Sequence, residues 1–178
     1  MSIQLKEKIN ISVDKIKNLS EVDLADLCNI TEQAIGAGGG FGWLRVPTRE
    51  ILNQYWNKII NDELTNLVVG RLNGVIAGTL QLSYEATNIE SRKNIAQIKR
   101  HFVAPWARGY GLAKSMIDFS EKQAKENNIK SIQLAVRETQ DAAVQLFSSK
   151  DYKIWGENPY YAFINGAFIK GIYFYKNL

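Results

Sequence analysis

The stretch that constrains this chain most is Val103-Ala104-Pro105-Trp106-Ala107-Arg108-Gly109-Tyr110-Gly111-Leu112-Ala113. Apolar Ile98, Phe102 and Val103 lead into it as the end of a strand. Beyond it Leu112, Met116, Ile117, Phe119 and Ala124 fall near helical spacing. The chain therefore passes from a strand, through a short loop kinked at Pro105, into a helix that opens on glycines. The first N–H groups of a helix have no intrahelical partner, and the helix dipole adds partial positive charge there. Phosphate binds such a place readily. Gly109 and Gly111 would let it approach the backbone, and Arg108 adds a permanent cation.

Two common phosphate loops are excluded. G-x-G-x-x-G read from Gly109 fails because its last position is Lys114, and the P-loop pattern fails because the chain contains no Gly-Lys pair. The run Val-x-Pro-x-x-Arg-Gly-x-Gly-Leu-Ala instead resembles the acyl-CoA pyrophosphate loop of the GNAT superfamily of N-acetyltransferases. An ordinary strand-to-helix turn with two glycines is the plainer reading of the same residues.

At 178 residues the chain is the size of one domain, 1–178, and long enough to bury a core. The net charge of +4 is mild, and its lysines and arginines are scattered, so no nucleic-acid partner is expected. That charge either attracts a polyanionic co-substrate or is a slightly basic surface. Cys28 is the only cysteine, which rules out a disulfide within the chain and suits a reducing, cytoplasmic setting. Its surroundings read as a buried helical thiol. A nucleophilic role would need His101, the only histidine, and one Cys with one His makes a zinc site improbable, so no metal is expected. No signal peptide is evident, and no apolar run approaches the ~20 residues of a membrane span, so no membrane partner is expected.

In chain order, residues 8–13 alternate as a first strand. Ser20 opens a helix to about Ala34, with Asp23 in the capping-box position. The run 36–43 is glycine-rich with Phe41 and Trp43, and reads either as a substrate lid or wall or as a tolerant surface connection. Pro47 suits the first turn of a second helix carrying Ile51, Leu52, Tyr55, Trp56 and Ile59. Strands 64–71 and 75–84 flank Asn73-Gly74, a hairpin signal. A polar loop near 86–94 leads to the strand Ala96–Val103, and the helix after the glycines runs to about Asn127. Strand Ile129–Val136, helix Asp141–Ser149, strand Tyr152–Trp155, an Asn165-Gly166 hairpin over 162–169 and a strand Ile172–Tyr175 complete the chain.

This order, β-α-α-β-β-β-α-β-α-β-β, resembles the GNAT fold throughout. The resemblance implies an α/β (α+β) domain with a mixed, mostly antiparallel sheet of about seven strands, splayed at its centre and flanked by about four helices. It implies acetyl-CoA as co-substrate, its pantetheine arm in the splay against main-chain groups of His101, Phe102 and Val103. Arg108, Gly109, Tyr110, Gly111, Leu112 and Ala113 would cradle the pyrophosphate. In the family's Asn-x-x-Ala-x-x-Leu-Tyr motif the matching residues are Gln140, Ala143, Leu146 and Phe147. Gln140 keeps an amide for the pantetheine, but Phe147 has no hydroxyl for the leaving thiolate. Asp151-Tyr152 stands where Gly-Phe is usual, and Gln97 stands where many members carry a basic glutamate. The oxyanion donor implied is the Val103 backbone N–H.

An alkylamine of pKa about 10.4 must lose a proton before it attacks a thioester. The candidate bases are Glu85 and His101, each with a plainer reading, as a solvated hairpin residue and a satisfied strand histidine. The aromatic tail (Trp155, Tyr160, Tyr161, Phe163, Phe168, Tyr173, Phe174, Tyr175) reads as acceptor-pocket wall or as sheet core, with Tyr160 and Tyr161, placed in an Asn-Pro turn, the candidate substrate contacts. The function implied is an acetyl-CoA-dependent N-acetyltransferase acting on a primary amine, of a small molecule or of a protein lysine or N-terminus, as a monomer or homodimer. The alternatives are a catalytically weak acyl-CoA-binding regulatory or interaction module, and a subunit that docks through its aromatic tail.

Overall fold

The computed structural model describes residues 9–39, 41–86 and 88–178. Its elements are β1 (Ile11–Ile16), α1 (Glu21–Gly36), α2 (Arg49–Ile60), β2 (Thr65–Leu72), β3 (Val75–Tyr84), β4 (Ile95–Val103), α3 (Leu112–Glu126), β5 (Ser131–Arg137), α4 (Asp141–Ser149), β6 (Lys153–Ile164) and β7 (Ala167–Asn177). The seven strands form one sheet in the order β1-β2-β3-β4-β5-β7-β6. Every pairing is antiparallel except β4 with β5.

Local chemistry sets most boundaries. Ser20 Oγ accepts from the Asp23 N–H at 3.0 Å and starts α1. Thr48 caps α2, its hydroxyl accepting from the Ile51 N–H, so Pro47 stands before the cap and not inside the first turn. Asn73 and Gly74 both have positive φ (51° and 87°), as do Asn165 and Gly166 (52° and 82°), the signature of type I′ turns.

Several expected boundaries move, and the hairpin arm expected to 169 and the strand expected at 172–175 form one strand, β7. The first strand was expected over 8–13; Lys8 lies outside the described residues, and β1 begins at Ile11 because β2 ends opposite it. Asn10 closes that end, its carbonyl accepting from the Asn73 N–H and its N–H donating to Asn73 Oδ1. Ile129 belongs to the close of α3, donating back to Ala124 O at 3.0 Å, so β5 starts two residues later than expected. The pieces expected at 152–155 and 162–164 are one long strand, β6, irregular against β7 between Asn158 and Ala162. Pro159 is tolerated there because β6 is the sheet edge. The expected Asn-Pro turn survives only as a local bond, Tyr160 N–H to Asn158 Oδ1 at 2.9 Å.

The sheet carries a core on each face. On one, α3 and α4 pack Leu112, Met116, Ile117 and Phe147 against Leu80, Ile98, Ile132 and Phe174. On the other, α1 and α2 pack Leu27, Ile30, Leu52 and Trp56 against Leu67, Val69 and Ile76. Gly78 lets α3 lie close: a Cβ there would come within 2.8 Å of Phe102 O and 2.9 Å of Met116 Cε. Cys28 is buried in the α1–α2 layer, Sγ donating to Asn53 Oδ1 at 3.3 Å, and burial pushes its thiol up from the usual range. Among the described residues no helix is long and apolar enough to cross a membrane.

The middle of the sheet opens. β4 and β5 pair only at Ile95–Ser131, Ala96–Ile132 and Gln97–Gln133, although both strands continue. A bulge in β4 accompanies the parting. Thr79 faces Phe102 and Gln81 faces Lys99, leaving Arg100 and His101 opposite Leu80 alone. Arg100 sits at φ 50°, uncommon for a bulky side chain, and the Thr79 hydroxyl donates to its carbonyl at 3.1 Å.

Candidate active site

The parted strands bound a cleft of about 1470 Å³. Alternation along the strands divides its lining into two halves. Ala96 and Ile98 of β4, Ile132, Leu134 and Val136 of β5, and Phe174 of β7 enter the α3–α4 core. Gln97, Lys99, Gln133, Arg137 and Tyr173 therefore stand on the opposite face, and all five line the cleft. Over that face lies the connection from α1 to α2, which contributes Gly38, Gly39, Phe41, Gly42 and Trp43. On the α3–α4 side the lining is His101, Val103, Arg108, Ala113, Gln140, Ala143, Leu146 and Phe147.

The glycine-bearing end of α3 has the form the sequence suggests. Gly109 and Gly111 adopt φ 86° and 79°, and a Cβ on either would meet nothing within 4 Å. Backbone conformation is what demands glycine there, with open space in front of it. Ser20 and Thr48 cap α1 and α2, but Gly111 at the head of α3 offers no side-chain cap. Arg108 is exposed beside this turn, its Nε donating to Val103 O at 3.4 Å. Arg108 and Ala113 line the cleft itself; Tyr110 is exposed nearby, and the Leu112 side chain is buried in the core.

The Val103 main chain faces the opening. The Ala104 N–H donates to Ala77 O at 2.8 Å, and antiparallel pairs alternate between bonded and non-bonded. The next pair, Val103 with Gly78, is therefore non-bonded, and the Val103 N–H points away from β3 toward the splay.

His101 lies beneath this edge, its ring edge-on to Phe147 with centroids 5.7 Å apart. Burial lowers its pKa to about 4, against a backbone hydrogen bond with Ala113 that favours the charged ring. Nε2 is buried and has no hydrogen-bond partner among the described residues. Phe147 is 2% exposed and packs also on Tyr152 and Phe174. Gln140 precedes α4 and makes no side-chain capping bond. Phe102 turns to the other face and packs on Phe41 at 4.9 Å.

The two candidate bases are not brought together. Glu85 follows β3, accepts from Arg92 Nε at 3.1 Å, and is not among the cleft-lining residues. The tyrosine pair is also divided. Tyr161 lines the cleft and packs over Gly171, where any Cβ would strike its ring. Tyr160 points outward, 69% exposed, against Phe168.

Sequence reasoning missed the cations of the second half, Lys99, Arg100 and Arg137. Arg137 Nη2 donates to Gly38 O at 2.6 Å and so ties the glycine-rich connection to the end of β5. The Arg100 guanidinium would lie 3.7 Å from a Cβ on Gly42. No local motif marks these residues; only the parting of β4 from β5 gathers them.

Known proteins bear on this geometry. Residues 26–151 match the acetyltransferase (GNAT) family. An N-acetyltransferase from the hisH–hisA intergenic region of Azospirillum brasilense is 43% identical over 131 residues, 74% of this chain and 78% of that protein. A GNAT-family acetyltransferase of Streptococcus pneumoniae superposes with a TM-score of 0.75 at 20% identity, covering 95% of this chain and 100% of that one. The yncA protein of Salmonella typhimurium, whose structure holds its cofactor acetyl-CoA, superposes with a TM-score of 0.76 at 14% identity over 94% of each chain. With most of its length inside the family match and a relative of this identity beside it, the chain belongs to the GNAT family and is an N-acetyltransferase.

Proposed function

We propose that the chain is a single-domain, cytoplasmic acetyl-CoA-dependent N-acetyltransferase that moves the acetyl group to a primary amine by direct attack on the thioester. The observation that carries this reading is the parting of β4 from β5 after Gln97, with the uncapped head of α3 at the end of the opening. Acetyl-CoA supplies the activated acyl group. Arg108 and the N–H groups of the first turn of α3 hold its pyrophosphate. The β4 edge at His101–Val103 offers main-chain hydrogen bonds to the pantetheine arm, as to an added strand. Gln140 adds its amide, and the buried Nε2 of His101 accepts one further hydrogen bond from that arm. The Val103 N–H donates to the oxygen on which negative charge develops.

The amine's proton is handled without a dedicated base. Gln97 cannot take it, Glu85 stands outside the cleft, and an imidazole with a pKa near 4 holds a proton poorly at neutral pH. Lys99, Arg100 and Arg137 make an ammonium unfavourable in the acceptor half, which lowers the amine's pKa from about 10.4 and lets water carry the proton away.

A second reading, an acyl-CoA-binding module with weak turnover, is favoured by Phe147 and Gln97, which replace groups that handle protons elsewhere in the family. One experiment decides: titrating the purified chain with acetyl-CoA while following heat and free thiol across an amine panel. Binding with amine-dependent thiol release supports the transferase. Binding without release supports the module, and no binding removes both.

A further inference from the structure

The charge around the cleft is unequal. Among the described residues four cations line it, Lys99, Arg100, Arg108 and Arg137, against one carboxylate, Asp141. Arg108 belongs to the head of α3, and Asp141 opens α4 on the same side of the sheet. The opposite half thus holds Lys99, Arg100 and Arg137 and, among the described lining residues, no acid. These cations come from separate places: Lys99 by alternation along β4, Arg100 through the left-handed bulge that follows it, and Arg137 from the end of β5. Arg137 spends one donor on Gly38 O and keeps others of its five N–H groups. Beside them the sheet presents aromatic rings. Trp155 packs on Tyr173 at 5.6 Å and Tyr161 on Tyr173 at 6.1 Å, and all three line the cleft.

A polyamine, an aminoglycoside or a lysine-rich peptide would bring positive charge into a positive half-cleft and find no carboxylate to receive it. A molecule with an oxyanion beside its amine would be favoured by charge, and arginine forks suit carboxylate and other oxyanions. One bound anion still leaves the half-cleft positive, so the amine remains discouraged from protonation.

Resting on the transferase reading, we infer that Lys99, Arg100 and Arg137 form an oxyanion subsite, and that the acceptor is a small amino-acid-like amine whose apolar body lies against Trp155, Tyr161 and Tyr173.

The test uses products, so it does not depend on turnover. Binding of N-acetylglycine, N-acetylleucine and N-acetyltryptophan, each beside its carboxamide, is measured by calorimetry with CoA present, in wild type and in a Lys99→Glu/Arg100→Asn variant. Asparagine tolerates the left-handed backbone at residue 100, and a thermal melt checks that the variant folds. At least one acid should bind about tenfold tighter than its carboxamide, and the variant should bring the pair within about twofold. The preference should shrink with added salt. No acid exceeding its carboxamide, or a preference that survives in the folded variant, overturns the subsite. The free amines are then tested for thiol release. Acid preference without any release keeps the subsite and overturns the transferase reading. Release from cationic diamines without acid preference does the reverse.

Discussion

Substitution of Gly111 separates two costs that the structure assigns to different causes. The residue stands at φ 79°, and an added Cβ meets no protein atom within 4 Å. Gly111→Ala therefore creates no clash, and its stability cost is that of a left-handed alanine, about 1–2 kcal/mol. For a chain of this size that is a fall in Tm of about 2–8 °C. The open space in front of Gly111 is where a pyrophosphate would meet the N–H groups of α3. A methyl group there should weaken acetyl-CoA by about tenfold or more, and Gly111→Glu, which adds negative charge, should abolish binding. Differential scanning calorimetry gives the first quantity and isothermal titration with acetyl-CoA the second. Pantetheine alone, which lacks the pyrophosphate, is the control and should bind both proteins alike. Unchanged affinity for acetyl-CoA in Gly111→Ala, with the expected Tm loss, would remove α3 from the phosphate site while leaving its backbone geometry intact.

Three further perturbations follow from the site and its support. His101 has a folded pKa of about 4, below its unfolded value of 6.5, so the unfolded chain takes up a proton first as pH falls. Its contribution is full above about pH 6.5 and is lost as pH falls toward about 4, a change of about 3 kcal/mol, and His101→Leu should flatten that limb of a urea-unfolding series. Phe147→Tyr supplies the missing hydroxyl in a ring cluster beside the unpaired His101 Nε2, so thiol release should hold or rise. A large fall in release would mean that the packing of Phe147 on Tyr152 and Phe174 does not admit the oxygen. Gly78→Ala sets a Cβ against the Phe102 carbonyl, which cannot move without disturbing β4, and should destabilise by about 1–3 kcal/mol in the same denaturation assay.

What was legible in the sequence had local causes. The Ser20 cap, the two Asn-Gly turns, the helix 141–149 and the glycine-opened helix each depend on residues within a few positions of one another. Local signals failed where a partner strand decides. β1 starts where β2 can meet it, and β6 stays one strand because Pro159 falls on a sheet edge, where a missing N–H costs no ladder bond. The family resemblance reached the α3–α4 side of the cleft because that side is drawn from two short motifs, 103–113 and 140–147. The opposite side draws on residues as far apart as Gly38 and Arg137, joined by a hydrogen bond, and no spacing rule links them.

The bulge at Arg100 connects these two sides. Without it β4 would alternate strictly, and residue 101 would share a face with Lys99 and Gln97. The extra residue shifts the phase: His101 faces Phe147 and the α3–α4 layer, Phe102 faces Phe41 and the α1–α2 layer, and Val103 keeps its N–H toward the opening. One left-handed arginine thus sets the histidine on the α3–α4 side while Lys99 and the Arg100 guanidinium stay on the opposite side, with the α1–α2 connection. Because Arg100 is also part of the positive half-cleft, its backbone conformation and its charge are separable only by a residue that accepts the first and lacks the second. Arg100→Asn should keep the phase of β4, and with it acetyl-CoA affinity, while weakening acceptor binding. A parallel loss of both would show that the guanidinium itself holds the bulge in place.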